Sequence, residues 1–252
     1  MCVFLFRSSM NSMMNFKKLH ILFAFPVLAL LFSCSARIEG VVREGGAADI
    51  TISTALEPRA IALIRSIRGF MGEAANAPIL DGPAISQSIA AAPGVLTAFL
   101  VNSGPTALDG TIAIANVGDF LAAGDAEGQF ITFIEGQTPG SSSIVVSLDR
   151  DSAPDLISRL APELTEYLSV LMAPVVLGEN ISRQEYLNLI AMVYGRPLAD
   201  EIAAARVRAS IQFPRQLTAI QGGTAAGNRA EFDIALVDLL VMQTPLRYEI
   251  SW

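Results

Sequence analysis

After Cys34 the chain contains no histidine, no lysine and no further cysteine. His20, Lys17, Lys18 and Cys2 all lie in the first 33 residues. The absences are chemically specific. Without histidine or a free thiol there is no Ser-His-Asp or Cys-His nucleophile. Without lysine there is no Ser-Lys dyad or Schiff base, and a phosphate-binding P-loop lacks its cation. His/Cys zinc sites, thiol redox chemistry and internal disulfides are excluded on the same grounds. Neither GxGxxG nor GxSxG occurs. Charge is also sparse, at 16% of residues, while 52% are hydrophobic, with a mean hydropathy of +0.48. Such a chain buries enough apolar surface to escape disorder. Its net charge of -7 and pI near 4.8 argue against nucleic acid as a partner. Of the 17 basic residues, Arg7, Lys17 and Lys18 precede Cys34, while all 24 acids follow it. The part after the leader is therefore more acidic, at about -10, with arginine as its only cation.

The leader has its own pattern. Lys17 and Lys18 form a positive n-region, and Ile21 to Phe32 form an apolar run. As a helix that run is about 18 Å long, short of the roughly 30 Å hydrocarbon core. It therefore reads as a signal-peptide h-region and not as a membrane span. Residues 1–13 lie upstream of the n-region, and Met13 or Met14 is the expected start. The h-region ends in Leu31-Phe32-Ser33-Cys34. This resembles the lipobox of bacterial lipoproteins. Phe32 stands where a small or aliphatic residue is usual, as in the relaxed boxes of spirochaete-type lipoproteins. The resemblance covers the leader and box only. It implies cleavage between Ser33 and Cys34 and lipid attachment to the Cys34 sulfur, and it carries over no catalytic residue.

The remainder, 34–252, reads as a single α+β domain. Its expected architecture is a mostly antiparallel sheet of N- and C-terminal strands around a helical middle. Ser35 to Arg37 is expected to be a short tether. Ile38 to Val42 and Asp49 to Ala55 read as strands joined by a turn at Gly45-Gly46. Apolar spacing predicts a helix from Pro58 to Met71, with Arg59, Arg65 and Arg68 off its apolar face. Ile85 to Ala92 reads as a short helix, and Val95 to Leu100 as its continuation. Strands are expected at Asp109 to Ala115, Gln129 to Glu135 and Ser142 to Leu148. Ser152 to Asp155 and Ser182 to Glu185 match capping boxes. The first opens a helix through Leu171, kinked at Pro162, and the second a helix closed by Gly195. Pro197 to Ala205 reads as a shorter helix. Strands at Val207 to Phe213, Glu231 to Val237 and Leu246 to Trp252 complete the reading, with a loop over Gly222 to Asn228.

Candidate sites are few. Arg59, Arg65 and Arg68 read as a solvated flank, or as a contact with anionic headgroups near the anchor. Asp149, Arg150, Asp151 and Asp155 resemble a cation cluster, but fit better as acids at a helix N-terminus. Gly222-Gly223-Thr224 and Gly136 to Ser143 could offer backbone amides to an anion, although glycine-rich turns account for them. No two acids are paired in the pattern, and the aromatics that sugar platforms need are scarce. Leu246, Tyr248, Ile250 and Trp252 alternate like the last strand of an outer-membrane barrel. The helical stretches oppose a barrel, and the expectation is a sheet strand whose Trp252 packs on a helix. No metal or other cofactor is implied. The expected function is a non-enzymatic, lipid-anchored component of the cell envelope. It would be held to the inner or outer membrane through Cys34, face the periplasm, and have a structural or binding role. Its partners would be the membrane, other envelope proteins or a lipid. The alternatives are a periplasmic carrier or chaperone for an apolar ligand, and more remotely a hydrolase using carboxylates or a metal.

Overall fold

The computed structural model describes residues 35–70, 79–124, 130–138, 140–150 and 179–252. The leader, Cys34 and the expected helix after Ser152 lie outside them. The described residues form six helices and two mostly antiparallel sheets, an α+β arrangement. In chain order the strands are β1 (Ser35–Val42), β2 (Ala48–Ala55), β3 (Val95–Gly104), β4 (Ala107–Ile114), β5 (Ile131–Glu135) and β6 (Ser142–Leu148), then β7 (Arg206–Gln212), β8 (Ala219–Gln221), β9 (Thr224–Ala226), β10 (Arg229–Ala235) and β11 (Leu246–Ser251). The helices are α1 (Pro58–Phe70), α2 (Gly82–Ala90), α3 (Val117–Gly124), α4 (Arg183–Tyr194), α5 (Arg196–Ala204) and α6 (Leu236–Val241).

The strands divide between a seven-stranded sheet, ordered β3-β4-β2-β1-β7-β10-β9, and a four-stranded sheet, ordered β5-β6-β11-β8. Period-two alternation explains the large sheet. On β1 and β2 the even residues point inward, and Ala36, Val42, Ala48 and Ile52 are buried, while Arg37, Glu39, Asp49 and Thr51 are exposed. An antiparallel sheet with one solvated face has this pattern. The inner face shares one apolar core with the helices and the small sheet, including Leu108, Ile112, Val237, Leu240, Phe213 and Trp252.

Two connections fix the register. β1 pairs antiparallel with β2 through the expected turn, but parallel with β7, Ser35 opposite Arg206 and Arg37 opposite Arg208. The second connection, from β8 to β9, joins the two sheets, since β8 belongs to the small one and β9 to the large. Its Gly222-Gly223 turn fits tightly. Gly222 has φ 78°, and a Cβ there would lie 2.5 Å from the Tyr248 ring. One on Gly223 would lie 2.6 Å from the Glu231 carbonyl and the Phe232 ring. Phe232 meets Tyr248 edge to face at 5.8 Å beside this turn.

Several sequence expectations need correction. Ser35 to Arg37 is not a tether but the start of β1, because all three residues pair with both neighbouring strands. Val95 to Leu100 is strand, not helix. It pairs with β4 through a register shift between Val95 and Thr97 that disrupts the alternation. The outer edge of β3 is occupied by α2, where the Ser86 hydroxyl donates to the Leu100 carbonyl and accepts from its N–H, at 3.1 and 2.6 Å. That contact blunts an edge otherwise open to pairing. The loop over Gly222 to Asn228 contains β9, and the strand expected to reach Val237 gives way to α6. Trp252 packs on the aromatic side chains of Phe213 at 4.5 Å and Phe133 at 6.4 Å.

The capping box at Ser182 forms as read. The Ser182 hydroxyl accepts from the Glu185 N–H, and the Glu185 carboxylate accepts from the Ser182 N–H. The Ser182 hydroxyl also donates to the Glu185 carboxylate at 2.7 Å, and that bond, with the one from the Ser182 N–H, holds the Glu185 carboxyl below the usual carboxylate range. The helix they open, α4, buries Tyr186 and Ile190. The Tyr186 hydroxyl has no hydrogen-bond partner among the described residues. Burial, with a smaller contribution from Tyr194, pushes its phenol above the ordinary tyrosine value. An unmet buried hydroxyl costs stability, so Tyr186→Phe should raise the stability by about 1 kcal/mol at neutral pH. The pH dependence follows from the sign. The folded phenol is raised above the unfolded value of about 10, so its contribution is complete below pH 10 and declines as the pH rises above it. Urea midpoints at pH 7 and above pH 10 check both parts. Tyr186→Phe should be more stable at pH 7 and lose less at alkaline pH, and a lower midpoint at pH 7 would contradict the orphaned hydroxyl.

Candidate functional site

The alternation that builds the core leaves a largely polar surface on the other side of β4, β2, β1, β7 and β10, flanked on β3 by exposed Phe99 and Val101. Register aligns its side chains in rows. One row runs Asp109, Ser53, Arg37, Arg208, Asp233 across β4, β2, β1, β7 and β10. The next runs Thr111, Thr51, Glu39, Ser210, Glu231 and ends at Thr224 of β9. Where β1, β7 and β10 meet the Gly222–Thr224 turn, the surface hollows into a groove of about 620 Å³. Arg37, Glu39, Arg208, Ser210, Glu231 and Asp233 line its floor, and the glycine turn forms its wall.

The charges within the groove are partly matched. Asp233 lies 3.5 Å from Arg208 Nε and 3.7 Å from Arg206 Nε. Arg229 donates to the Ser210 hydroxyl at 3.3 Å, so that hydroxyl faces a cation and not a base. Arg37 has no hydrogen-bond or ion-pair partner among the described residues. Farther along its row, Asp109 is held below the usual carboxylate range by hydrogen bonds from Ser103 and then Ser53. The arrangement suits a charged or polar partner laid across the open sheet.

A second cavity of about 270 Å³ lies at the opposite end of β1. The Gly45-Gly46 turn, Asn116, the loop from Gly136 to Ser142, Phe133 and Trp252 line it. The loop's amides are largely engaged within the protein. Gly136 N–H donates to Ser141, Ser141 N–H to Thr138 and Ser142 N–H to the Trp252 carbonyl.

Both glycine segments marked in the sequence thus reach cavity walls, but as turns shaped by packing and internal hydrogen bonds. Arg59 and Arg65 are exposed on α1, and the Arg59 N–H donates to the Glu201 carboxylate. Asp151 and Asp155 lie outside the described residues, and so does Cys34. Arg150 ties segments together, donating to the carbonyls of Glu179 at 2.6 Å and Val241 at 3.3 Å. No group of three or more acids, among the described residues, is arranged to hold a metal ion. Of the groove's lining the sequence reading marked the glycine turn Gly222-Gly223-Thr224 but not the charged floor. Arg37, Arg208 and Asp233 sit on strands far apart in the chain and meet only through the β1–β7–β10 register.

No protein-family model matches the chain, and no curated protein matches it. A solved structure with detectable similarity is the NMR structure of the folded domain of LppM from Mycobacterium tuberculosis. It is 11% identical, covers 86% of this chain and 87% of that one, and aligns with a TM-score of 0.36. At that score the likeness transfers neither fold nor function.

Proposed function

We propose that this chain is a lipid-anchored protein of a bacterial cell envelope, held through Cys34, with a binding or structural role and no catalytic one. The observation that carries the reading is the junction at Cys34. The cysteine closes an apolar run and a lipobox-like sequence, and the next residue, Ser35, already belongs to β1 in the large sheet. Cleavage before Cys34 would remove only leader and leave the lipid at the start of the domain. Among the described residues no helix is long and apolar enough to cross a membrane, which fits attachment by lipid. The non-catalytic part rests on the residue inventory, which after Cys34 lacks histidine, lysine and thiol. The charged lining of the groove favours a polar partner over a buried acyl chain, so a binding surface is preferred to an apolar carrier.

Metabolic labelling of the full chain with a clickable palmitate analogue tests the anchor. The unaltered protein should label and sediment with membranes. Cys34→Ala should lose the label and most of its membrane association. A Cys34→Ala protein that labels and fractionates as before overturns the assignment.

A further inference from the structure

Three arginines project from the open face of the large sheet beside the first residue of β1. Across the parallel β1–β7 ladder Arg206 is opposite Ser35, and Arg208 is opposite Arg37. Like charges directly across a ladder are unfavourable. One acid, Asp233, serves both Arg206 and Arg208, at 3.7 and 3.5 Å. Nη1 of Arg206 is buried with no acceptor among the described residues, and Arg37 is without a partner there. The cluster therefore has more donors than acceptors. Guanidinium groups in this situation match the geometry of a phosphate oxyanion. The chain itself indicates where such a phosphate comes from. Cys34 directly precedes Ser35, so a lipid on its sulfur brings the bilayer surface within about 10 Å of Arg37 and Arg206. That is about one Debye length, inside the range of an anionic leaflet's surface potential.

We propose that Arg37, Arg206 and Arg208 form a site for the phosphate of an anionic phospholipid headgroup in the leaflet that holds the Cys34 lipid. The proposal rests on the lipid-anchor reading above. It also gives the domain an orientation. The chain after Cys34 is acidic and repelled by an anionic surface, whereas the arginine end is attracted. Glu39 and Glu231 stand one register row farther from Ser35 than Arg37 and Arg208, so these two acids lie farther from the leaflet, while Asp233 shares the arginine row.

The test uses the full chain as processed by producing cells, purified in detergent. It is offered to a mixture of neutral phosphatidylcholine vesicles and sucrose-loaded vesicles that also contain phosphatidylglycerol. The protein should favour the anionic vesicles about tenfold, a preference that falls with added salt. Arg37→Gln removes an exposed side chain and should leave folding intact while lowering the preference about threefold to fivefold. Arg37→Gln with Arg208→Gln should abolish it, and Arg196→Gln, outside the cluster, should leave it unchanged. Equal partition of the unaltered chain overturns the proposal and spares the anchor. Binding to the anionic vesicles alone supports the arginine site and removes the anchor. Binding to neither overturns both. If inorganic phosphate, exchanged for chloride at constant ionic strength, erases the preference, the site takes free phosphate and the headgroup assignment is wrong.

Discussion

Gly110→Val should abolish cooperative folding at ordinary temperatures. Gly110 lies on the inner face of β4, opposite Ile52 of β2 and Leu100 of β3. A Cβ at this position would lie 2.3 Å from the Phe99 carbonyl oxygen, 2.7 Å from the Leu100 Cα and 2.8 Å from its side chain. The first two atoms are backbone, so no rotamer change relieves the clash. Either β3 separates from β4 or the β4 backbone shifts, and α2, hydrogen-bonded to Leu100, moves with it. Overpacking a core usually costs about 1–3 kcal/mol. A collision with backbone places this case above that range, at about 4 kcal/mol for alanine and more for valine. Against a total stability of about 5–15 kcal/mol that is decisive. Circular dichroism during urea titration provides the check. A valine variant with the parental midpoint would mean that β3 does not pack as described.

The second large effect is at the C-terminal residue. Trp252 is buried against Phe213 and Phe133, where the small sheet meets the segment after β7. Its N–H donates to Ser142 and its carbonyl accepts from Ser142, at 3.0 and 3.1 Å. With the backbone pinned on both sides, the space vacated by Trp252→Ala cannot readily collapse. A loss of about 3–5 kcal/mol is expected. Trp252 is the only tryptophan, so the emission of the parent protein reports this packing directly. A red-shifted native emission, or an alanine variant within about 1 kcal/mol of the parent, would place the ring in solvent.

The reach of the sequence follows the range of the interactions involved. The Ser182 capping box is chemistry between residues three apart, and both the box and the helix ending at Gly195 match their reading. The β1–β2 and β5–β6 hairpins were legible because turn residues and alternation lie side by side. β3 was not, because Leu96, Phe99 and Val101 are apolar yet exposed, and the register shift at Val95 breaks the two-residue period. α6 was missed for another reason. Leu236-Val237 extends Ile234-Ala235 at the end of β10, and so short an apolar run suits strand and helix alike. The groove was legible only at its Gly222-Gly223-Thr224 wall, and its charged floor was not. Nothing near Arg37 announces Arg208 or Asp233, and the rows that align them exist only once β1 has paired parallel with β7.

That parallel pairing also determines how the domain bears load. β1 lies inside the sheet, bonded along its length to β2 on one side and β7 on the other. A pull on its first residue, directed along the strand, acts on both ladders in shear and strains many hydrogen bonds together. A strand at the sheet margin pulled crosswise would instead unzip one bond at a time. Under the Cys34 anchor proposed above, a tug at the start of β1 would spread across the middle of the sheet, and the lipid's hold should yield before the fold does.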